Sequence, residues 1–404
     1  MADLTFSDLS FEKDKEGVKV SFLKVFYSHL PEDDLQDIGE YTIAGKSIHF
    51  EDISEAKASR RFNNLLSKSF ENLRNRMTNK PTVYIHRNLG IPLLGTNYFG
   101  IIDRGTNTLE VKPLTSCNIS CIFCSVDEGP GSRRRVDYVV EKDYLVEEFR
   151  KVVAFKGVDD IDAHINAQGE PTLYADLVPL IKDIMATPGV KTSSIDTNGT
   201  LLNPQFIDDL AEAGLTRIHL SLHAINQEMA NKLAGFPYNV KRVMEMAKYA
   251  CTKMDLIITP VWLSGYNDEE LPKLARFAEE IGAGKDCPPI GIQNFLPYKL
   301  GRNPVKTSSF EDFFKRMREL EKEHNVTLLH TKGFNMYAVK ELPRPFKKNE
   351  VVDAEIRLPG RIGYEKLAVA KGRVISIPQC EKSSGMVRVR IRRTKHNIFS
   401  GEIV

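Results

Sequence analysis

Three cysteines lie close together at Cys117, Cys121 and Cys124, in a chain of 404 residues that has six cysteines in all. Three thiolates on one short loop can bind three irons of a four-iron cluster, which leaves the fourth iron without a protein ligand. Such an iron can bind a small molecule through an amine and a carboxylate. A zinc site would need a fourth ligand, and the next histidine along the chain, His164, is distant. A group of buried, inert cysteines is a third interpretation.

The other cysteines, Cys251, Cys287 and Cys380, are scattered through the chain, and we expect each to be a buried apolar thiol. Sparse cysteines suit a reducing compartment. The N-terminus has no basic start followed by an apolar run, and the apolar stretch Leu256–Leu263 is short and interrupted by Pro260. These features predict a cytoplasmic protein with no membrane span.

Polar residues follow the second predicted strand of a βα series. The sequence Asn-Ala-Gln-Gly-Glu-Pro occupies positions 166–171. Gly169 would let the backbone approach a ligand, and Glu170 would offer an acceptor to an ammonium group. The alternative is a plain turn between a strand and a helix.

The next strands carry further polar candidates. Ser194, Asp196 and Asn198 alternate along the third strand and so share a face, although Asn-Gly at 198–199 is also a turn signal. The fourth strand ends in Ser-Leu-His at 221–223. We take Ser221 as a candidate ligand contact and His223 as a candidate proton carrier or a structural histidine.

Six apolar or β-branched runs alternate with helical patterns, which predicts parallel βα units. The predicted strands are Leu109–Val111, Asp162–Asn166, Ser193–Asp196, Arg217–Leu222, Asp255–Val261 and Ile290–Phe295. The predicted helices span residues 143–155, 175–186, 204–213, 239–252 and 268–281, and Phe310–His324. We therefore predict an α/β fold with a partial (β/α)6 TIM-type barrel over residues 105–342.

Two other regions flank this barrel. Residues 1–104 are predicted to form an α+β region of unknown role, with strands at Val18–Tyr27 and Thr82–His86 and an amphipathic helix from about Ser54 to Arg76. Residues 351–404 are predicted to form a small β-barrel, since Val387–Arg393 alternates apolar and basic residues between turn signals.

The cysteine spacing and the polar strand ends, in this order, resemble the radical-SAM superfamily over about residues 105–300. The stretch at 166–171 is similar to the family's Gly-Gly-Glu motif, with Gln168 in place of the first Gly. The resemblance implies a [4Fe–4S] cluster on Cys117, Cys121 and Cys124 and the reductive cleavage of S-adenosylmethionine to a 5′-deoxyadenosyl radical. It also implies an electron donor such as a ferredoxin or a flavodoxin.

The same resemblance assigns contacts with S-adenosylmethionine. Phe123 is expected near the adenine, and a core aromatic is the alternative for this residue. Gln293 is a further candidate because it forms a polar pair with Asn294 at the end of the predicted sixth strand. The expected contacts are Phe123, Gly169, Glu170, Ser194, Asp196, Asn198, Ser221 and Gln293.

Residues 351–404 hold eleven Lys and Arg against five Asp and Glu, which suggests a polyanionic partner. The basic run from Arg388 to Lys395, together with residues 397–402 after it, is similar to the end of a TRAM module, an OB-like barrel of RNA-modifying enzymes. That resemblance implies that arginines bind the phosphates of RNA and that an aromatic ring stacks on a base. A charged edge strand is the alternative. The candidate RNA-binding residues are Arg388, Arg390, Arg392, Arg393, Lys395 and Phe399.

Together these features make the chain resemble an archaeal-type Fe–S oxidoreductase with a C-terminal TRAM module. We expect the protein to modify a nucleoside in tRNA or rRNA. The first 116 residues contain no cysteine, which disfavours a second cluster of the methylthiotransferase kind. Modification of a lipid, a pterin or another small molecule is the alternative enzyme reaction. The alternative from another functional class is an iron–sulfur protein that binds RNA without catalysing a reaction.

Overall fold

The computed structural model describes residues 2–331 and 333–404. The N-terminal region contains two antiparallel sheets that pack against one long helix. Its elements are β1 (Ala2–Thr5), β2 (Leu9–Asp14), β3 (Gly17–Phe22), β4 (Phe26–Leu30), α1 (Glu32–Gln36), β5 (Tyr41–Ala44), β6 (Ser47–Phe50), α2 (Glu55–Phe70), β7 (Arg74–Asn75) and β8 (Thr82–Ile85). The sheets have the orders β2-β3-β4-β7 and β1-β6-β5.

Two predictions for this region were wrong in detail. The run Val18–Tyr27 is a hairpin of β3 and β4, because Leu23 and Lys24 have positive φ angles of 46° and 63° and turn the chain back. The helix predicted to reach Arg76 ends at Phe70, and the following residues pair as β7 with β4. Phe62 of α2 is fully buried, as the apolar stripe predicts.

The central region contains an open sheet, whose parallel strands are joined by helices, and two short two-stranded sheets. Its strands are β9 (Gly100–Asp103), β10 (Thr108–Lys112), β11 (Asp137–Val140), β12 (Ile161–Ile165), β13 (Val190–Thr197), β14 (Arg217–Leu220), β15 (Asp255–Ile258), β16 (Val261–Trp262) and β17 (Gln293–Asn294). Its helices are α3 (Lys142–Lys156), α4 (Leu177–Met185), α5 (Pro204–Glu212), α6 (Gln227–Ala234), α7 (Val240–Cys251), α8 (Glu270–Glu280) and α9 (Phe310–His324).

The main sheet has the order β15-β14-β13-β12-β10-β9. Strands β10 and β12 to β15 are parallel, whereas β9 pairs antiparallel with β10 at one edge. The predicted sixth strand, Ile290–Phe295, is shorter than expected: β17 holds two residues and pairs with β16, and Ile290 bridges Ile258. Pro288 and Pro289 precede this stretch and cannot donate to a ladder.

Side chains on the two faces of this sheet differ in chemistry. Val111, Ile165 and Ile195 are fully buried and belong to the same core as the apolar faces of the helices. The alternate positions carry polar groups such as His164 and Asp196, because successive side chains of a strand point to opposite faces. The polar face and the carboxyl ends of the strands therefore position the candidate site.

The C-terminal strands form a closed barrel of order β18-β19-β20-β22-β21, which confirms the predicted small β-barrel. The strands are β18 (Val351–Pro359), β19 (Lys366–Ala370), β20 (Arg373–Ile377), β21 (Gly385–Arg393) and β22 (Phe399–Ile403). Val387, Val389 and Ile391 point into its core. Among the described residues, no helix is both long and apolar enough to cross a membrane.

Candidate active site

The three candidate cluster ligands lie on the cysteine loop, residues 113–136, which connects β10 to β11. The end of α6 holds the middle of this loop. The N–H of Ser120 donates to the carbonyl of Ala234 at 3.0 Å, and the N–H of Ile122 donates to Leu233 at 3.0 Å. A Cβ on Gly235 would lie 2.3 Å from the oxygen of Ser120, so only glycine allows this approach.

Arg302 holds the other side of the cysteine loop and was not predicted from the sequence. Its guanidinium donates to the carbonyls of Cys121 and Glu128, both at 3.0 Å, and to Oδ1 of Asp127 at 2.7 Å. The backbone N–H of Arg302 donates to the carbonyl of Cys124 at 2.9 Å. An arginine far along the chain carries no local signal, because its role depends on partners that only the fold brings close.

Cys117, Cys121 and Cys124 all line one cavity of about 800 Å³. Burial and the nearby Cys121 thiol raise the pKa of Cys117 well above its ordinary value. Burial and the Cys124 thiol raise the pKa of Cys121 to about 12. Three partly accessible thiols that influence one another on one cavity wall are the donor set that an iron–sulfur cluster needs, and binding would release their protons.

Glu170 lies on the same cavity, at the end of β12, and is 2% exposed. Its Oε1 accepts hydrogen bonds from Thr172 Oγ1 at 2.6 Å and from Thr197 Oγ1 at 2.7 Å, and its Oε2 accepts one from the N–H of Asn198 at 2.8 Å. Burial raises the pKa of the Glu170 carboxyl although these donors oppose the shift. The Oε2 atom keeps a lone pair for one more donor.

Gly169 lies in the segment that follows β12, where the backbone contacts the cysteine loop. A Cβ at this position would lie 2.0 Å from the oxygen of Ser116, the residue before Cys117. The N–H of Glu170 donates to that same oxygen at 2.8 Å. The glycine is therefore required by the loop that carries the first cysteine.

The predicted contacts on β13 separate into two groups. Asp196 and Asn198 line the cavity. Asn198 is oriented by Asn118 of the cysteine loop, to which its Nδ2 donates at 2.9 Å. Ser194 is fully buried, its Oγ lies 2.9 Å from Nδ1 of His164, and it is not among the described residues that line the cavity.

A hydrogen-bonded chain of polar groups lies on the polar face of the sheet behind the cavity. Asp196 lies between His164, at 3.3 Å from Nε2, and His219, at 3.2 Å from Nδ1. Burial acts to raise the pKa of Asp196, but the two rings lower it far below its ordinary value. Neither histidine was predicted from the sequence to play this role, although both lie on the strands that flank β13, opposite its polar residues.

The same three side chains bring ligand atoms within 4.8 Å of one another, as a metal site would. However, Nε of Arg217 donates to Nε2 of His219 at 3.0 Å, which leaves the ring proton on Nδ1, toward Asp196. A metal ion on Nδ1 would displace that proton. The arrangement therefore favours a hydrogen-bonded chain over a metal site.

His223 and Phe123 meet on the cavity wall, with ring centroids 4.7 Å apart in an edge-to-face contact. Nδ1 of His223 accepts from the N–H of Val261 at 3.1 Å. Burial lowers the pKa of His223 to about 4, so the ring is neutral at pH 7 and its Nε2 carries the proton. This ring is suited to donating a hydrogen bond rather than to carrying a proton between groups. Ser221 and Gln293 also line the cavity.

Exposed aromatic side chains surround the wider part of the cavity. These are Tyr298, Phe310, Phe314 and Phe334. Their rings can stack on a planar group, and exposed apolar groups that gather around one cavity are typical of a binding site. This rim was not predicted from the sequence, because all four rings follow the last predicted barrel strand, two of them on α9.

The predicted RNA-binding residues divide into exposed and buried ones. Arg388, Arg393 and Lys395 are exposed on the C-terminal barrel, whereas Arg392 pairs with Glu402. Phe399 is 0% exposed and packs edge to face against Phe346 at 5.0 Å between centroids. Phe399 therefore belongs to the barrel core, and the expectation that it stacks on a base is not compatible with this position. Arg390 is partly buried and lies opposite Glu402.

A protein-family model matches the central part of the chain, which includes the cysteine loop. Residues 111–278 match the model of the radical SAM superfamily. The uncharacterized protein MJ0103 of Methanocaldococcus jannaschii is 40% identical over 370 residues, which cover 84% of this chain and 85% of that protein. The GTP 3′,8-cyclase of Aquifex aeolicus is 31% identical over 188 residues, which cover 45% of this chain and 55% of the cyclase.

Solved structures show weaker similarity. TYW1 with a lysine-pyruvate adduct bound is 19% identical with a TM-score of 0.40, over 56% of this chain and 76% of that chain. SuiB of Streptococcus suis bound to the precursor peptide SuiA is 14% identical with a TM-score of 0.42, over 81% of this chain and 71% of that chain. On the family match and the extended similarity to MJ0103, this chain belongs to the radical SAM superfamily of enzymes, which use a [4Fe–4S] cluster and S-adenosylmethionine.

Proposed function

We propose that Cys117, Cys121 and Cys124 hold the [4Fe–4S] cluster and that the adjoining cavity binds S-adenosylmethionine. The observation that carries this proposal is that the three thiols line the same cavity as the polar groups at the ends of three neighbouring strands. When bound, the cluster and S-adenosylmethionine supply a 5′-deoxyadenosyl radical after one electron arrives from a donor such as a ferredoxin or a flavodoxin.

The protein's own groups orient and enclose the cofactor in this proposal. Glu170 offers its remaining lone pair to the methionine ammonium, and Asn198 and Ser221 offer polar contacts on the next strands. Phe123 packs beside the adenine, and His223 donates a hydrogen bond from Nε2. Ser194 acts on Asp196 through His164 rather than on the cofactor.

We further propose that the substrate is a nucleoside in tRNA or rRNA, bound with the help of residues 351–404 as a TRAM/OB-like module. Arg388, Arg393 and Lys395 are exposed charges that suit a phosphate backbone. The aromatic rim beside the cavity offers rings on which a base turned out of its stack can lie. Phe399 takes no part, because it is buried.

The experiment begins with anaerobic reconstitution of the full-length protein. We expect about four irons and four sulfides per chain, as for one cubane cluster. Replacement of Cys117, Cys121 or Cys124 by Ala should remove the iron, whereas the matched controls Cys251→Ala and Cys287→Ala should keep it. Iron retained by the first three variants would contradict the ligand assignment.

The substrate is then tested by mass spectrometry of nucleosides from cells with and without the gene. A modified nucleoside that is lost with the gene, and that is restored by the wild-type but not the Cys121→Ala protein, would support RNA as the substrate. Unchanged nucleosides, with 5′-deoxyadenosine still released by the reduced protein, would contradict it.

A small-molecule substrate is the second candidate, because the chain is similar to GTP 3′,8-cyclases over 45% of its length. The aromatic rim would suit a purine as well as a base of RNA. Incubation of the reduced protein with S-adenosylmethionine and GTP distinguishes the two: GTP-stimulated release of 5′-deoxyadenosine with loss of GTP would favour the small molecule. Absence of 5′-deoxyadenosine with every reductant and substrate would favour the non-catalytic RNA-binding protein.

A further inference from the structure

Arg361 is the largest fully buried side chain among the described residues, and it comes from the C-terminal barrel, between β18 and β19. Its guanidinium binds both carboxylate oxygens of Glu128, with Nη2 to Oε2 at 3.0 Å, and also Oδ1 of Asp137 at 3.0 Å. Its Nε donates to the carbonyl of Val136 at 2.9 Å. These acceptors all belong to the cysteine loop or to the first residue of β11.

Glu128 and Asp137 contact groups at opposite ends of the stretch that carries the three cysteines. The N–H of Glu128 donates to Sγ of Cys124 at 3.4 Å. Oδ2 of Asp137 lies 3.4 Å from Oγ of Ser116, the residue that precedes Cys117. One guanidinium from the C-terminal barrel is therefore bonded to groups on both flanks of the candidate cluster ligands.

The environment leaves the pair little freedom. Glu128 is 3% exposed and Asp137 is 1% exposed. Buried carboxylates need a partner, because desolvation of an unpaired charge is costly. The backbone N–H of Arg361 donates to Oε2 of Glu365 at 3.0 Å, and Tyr98 donates to the same carboxylate at 3.0 Å. The backbone that carries this guanidinium is thus fixed by Glu365 as well.

We propose that Arg361 is a positioning residue of the iron–sulfur site, which holds Glu128 against Cys124 and sets the charge beside the cluster. This inference rests on the cluster ligands proposed above. Net charge and hydrogen bonds to the sulfurs are two of the factors that set the reduction potential of such a cluster. The C-terminal barrel is then a part of the active site, and not only a candidate module for binding RNA.

The test measures the midpoint reduction potential of the reconstituted full-length protein by EPR-monitored titration, together with the iron content. The variants are Arg361→Gln, Arg361→Lys and Glu128→Gln, and the matched control is Arg357→Gln on the same barrel, where the arginine is exposed and paired with Glu355. We expect Arg361→Gln to shift the potential to more negative values and Glu128→Gln to shift it to more positive values. Arg361→Lys should lie between Arg361→Gln and the wild type.

Opposite shifts are the decisive signature, because a merely structural loss would disturb both variants in the same way. If the Arg361 and Glu128 variants keep the wild-type potential, or shift it in the same direction as each other, the inference is overturned. If Arg361→Gln does not fold, Glu128→Gln and Arg361→Lys still decide by the sign of their shifts. Iron retained by the Cys117, Cys121 and Cys124 variants would instead contradict the proposed ligands, so the two failures are distinguishable.

Discussion

The carboxylate of Glu170 accepts a hydrogen bond from the backbone N–H of Asn198 at 2.8 Å, which ties the end of β12 to the end of β13 on the cavity wall. Thr172 and Thr197 donate to the other oxygen of the same carboxylate. The group that we propose for the methionine ammonium therefore also joins two strand ends. Any change at Glu170 acts on both roles.

We expect Glu170→Ala to weaken the binding of S-adenosylmethionine by at least tenfold while the iron content stays normal. The carboxylate is not a ligand to the metal in the proposed arrangement. The unfolding free energy should fall by about 1–3 kcal/mol, because buried donors lose their acceptor. Isothermal titration and chemical denaturation measure the two effects, and unchanged affinity would contradict the assigned contact.

Gly169→Ala should reduce iron incorporation strongly, since the added Cβ would lie 2.0 Å from the oxygen of Ser116 and would displace the residue before Cys117. Gly333→Ala is the matched control, because a Cβ there meets nothing within 4 Å. Iron and sulfide analysis after reconstitution checks the prediction. Equal iron content in the two variants would show that the cysteine loop adapts to the extra methyl group.

The pair of Asp196 and His164 predicts a pH-dependent contribution to stability. Burial acts to lower the pKa of His164, yet the Asp196 carboxylate raises it above its ordinary value of 6.5. A raised pKa in the folded protein gives a stabilisation that is complete below pH 6.5 and is lost as the pH rises through the raised value. Asp196→Asn should therefore cost more stability at pH 6 than at pH 9.

Thermal melting of the wild type and of Asp196→Asn across this pH range measures the difference. Asp34→Asn, at an exposed position on α1, controls for the loss of a carboxylate as such. A difference in melting temperature that stays constant between pH 6 and pH 9 would show that the His164 pair does not titrate.

His223→Gln should leave the pH profile of 5′-deoxyadenosine release unchanged between pH 6 and pH 9. The pKa of His223 is lowered to about 4 by burial, so the wild-type ring has no charge to lose in that range. The rate should change only modestly if glutamine keeps a donor in the cavity. An inflection near neutral pH that disappears in the variant would identify His223 as a proton carrier after all.

Arg388→Gln and Arg393→Gln should each weaken RNA binding and lower the slope of log affinity against log salt by about 0.7–0.9, the value for one phosphate contact. Arg392→Gln is the matched comparison and should change the slope less, because this arginine already pairs with Glu402. Filter binding of tRNA at several salt concentrations gives the slopes. Point variants are preferable to truncation, since removal of residues 351–404 would also remove Arg361 from the cysteine loop.

The sequence by itself determined the parts of this protein that depend on short spacing. Cys117, Cys121 and Cys124 lie on one loop, so they are close in space because they are close in sequence. Alternation along parallel strands likewise predicted that Asp196 and Asn198 share a wall. The six helices predicted between residues 143 and 324 are present within two residues of their expected ends.

Only the tertiary structure decided which distant groups support that wall. Arg302 and Arg361 contact the cysteine loop across long separations in sequence, and nothing local to either residue specifies a partner. The structure also placed Phe399 inside the barrel, because β22 pairs with both β20 and β21 and turns this ring toward the enclosed core. Charge pairing across that barrel, such as Arg392 with Glu402, then determined which arginines are already engaged within the protein. Contacts of this kind depend on closure of the sheet and the barrel, which periodicity within one segment does not encode.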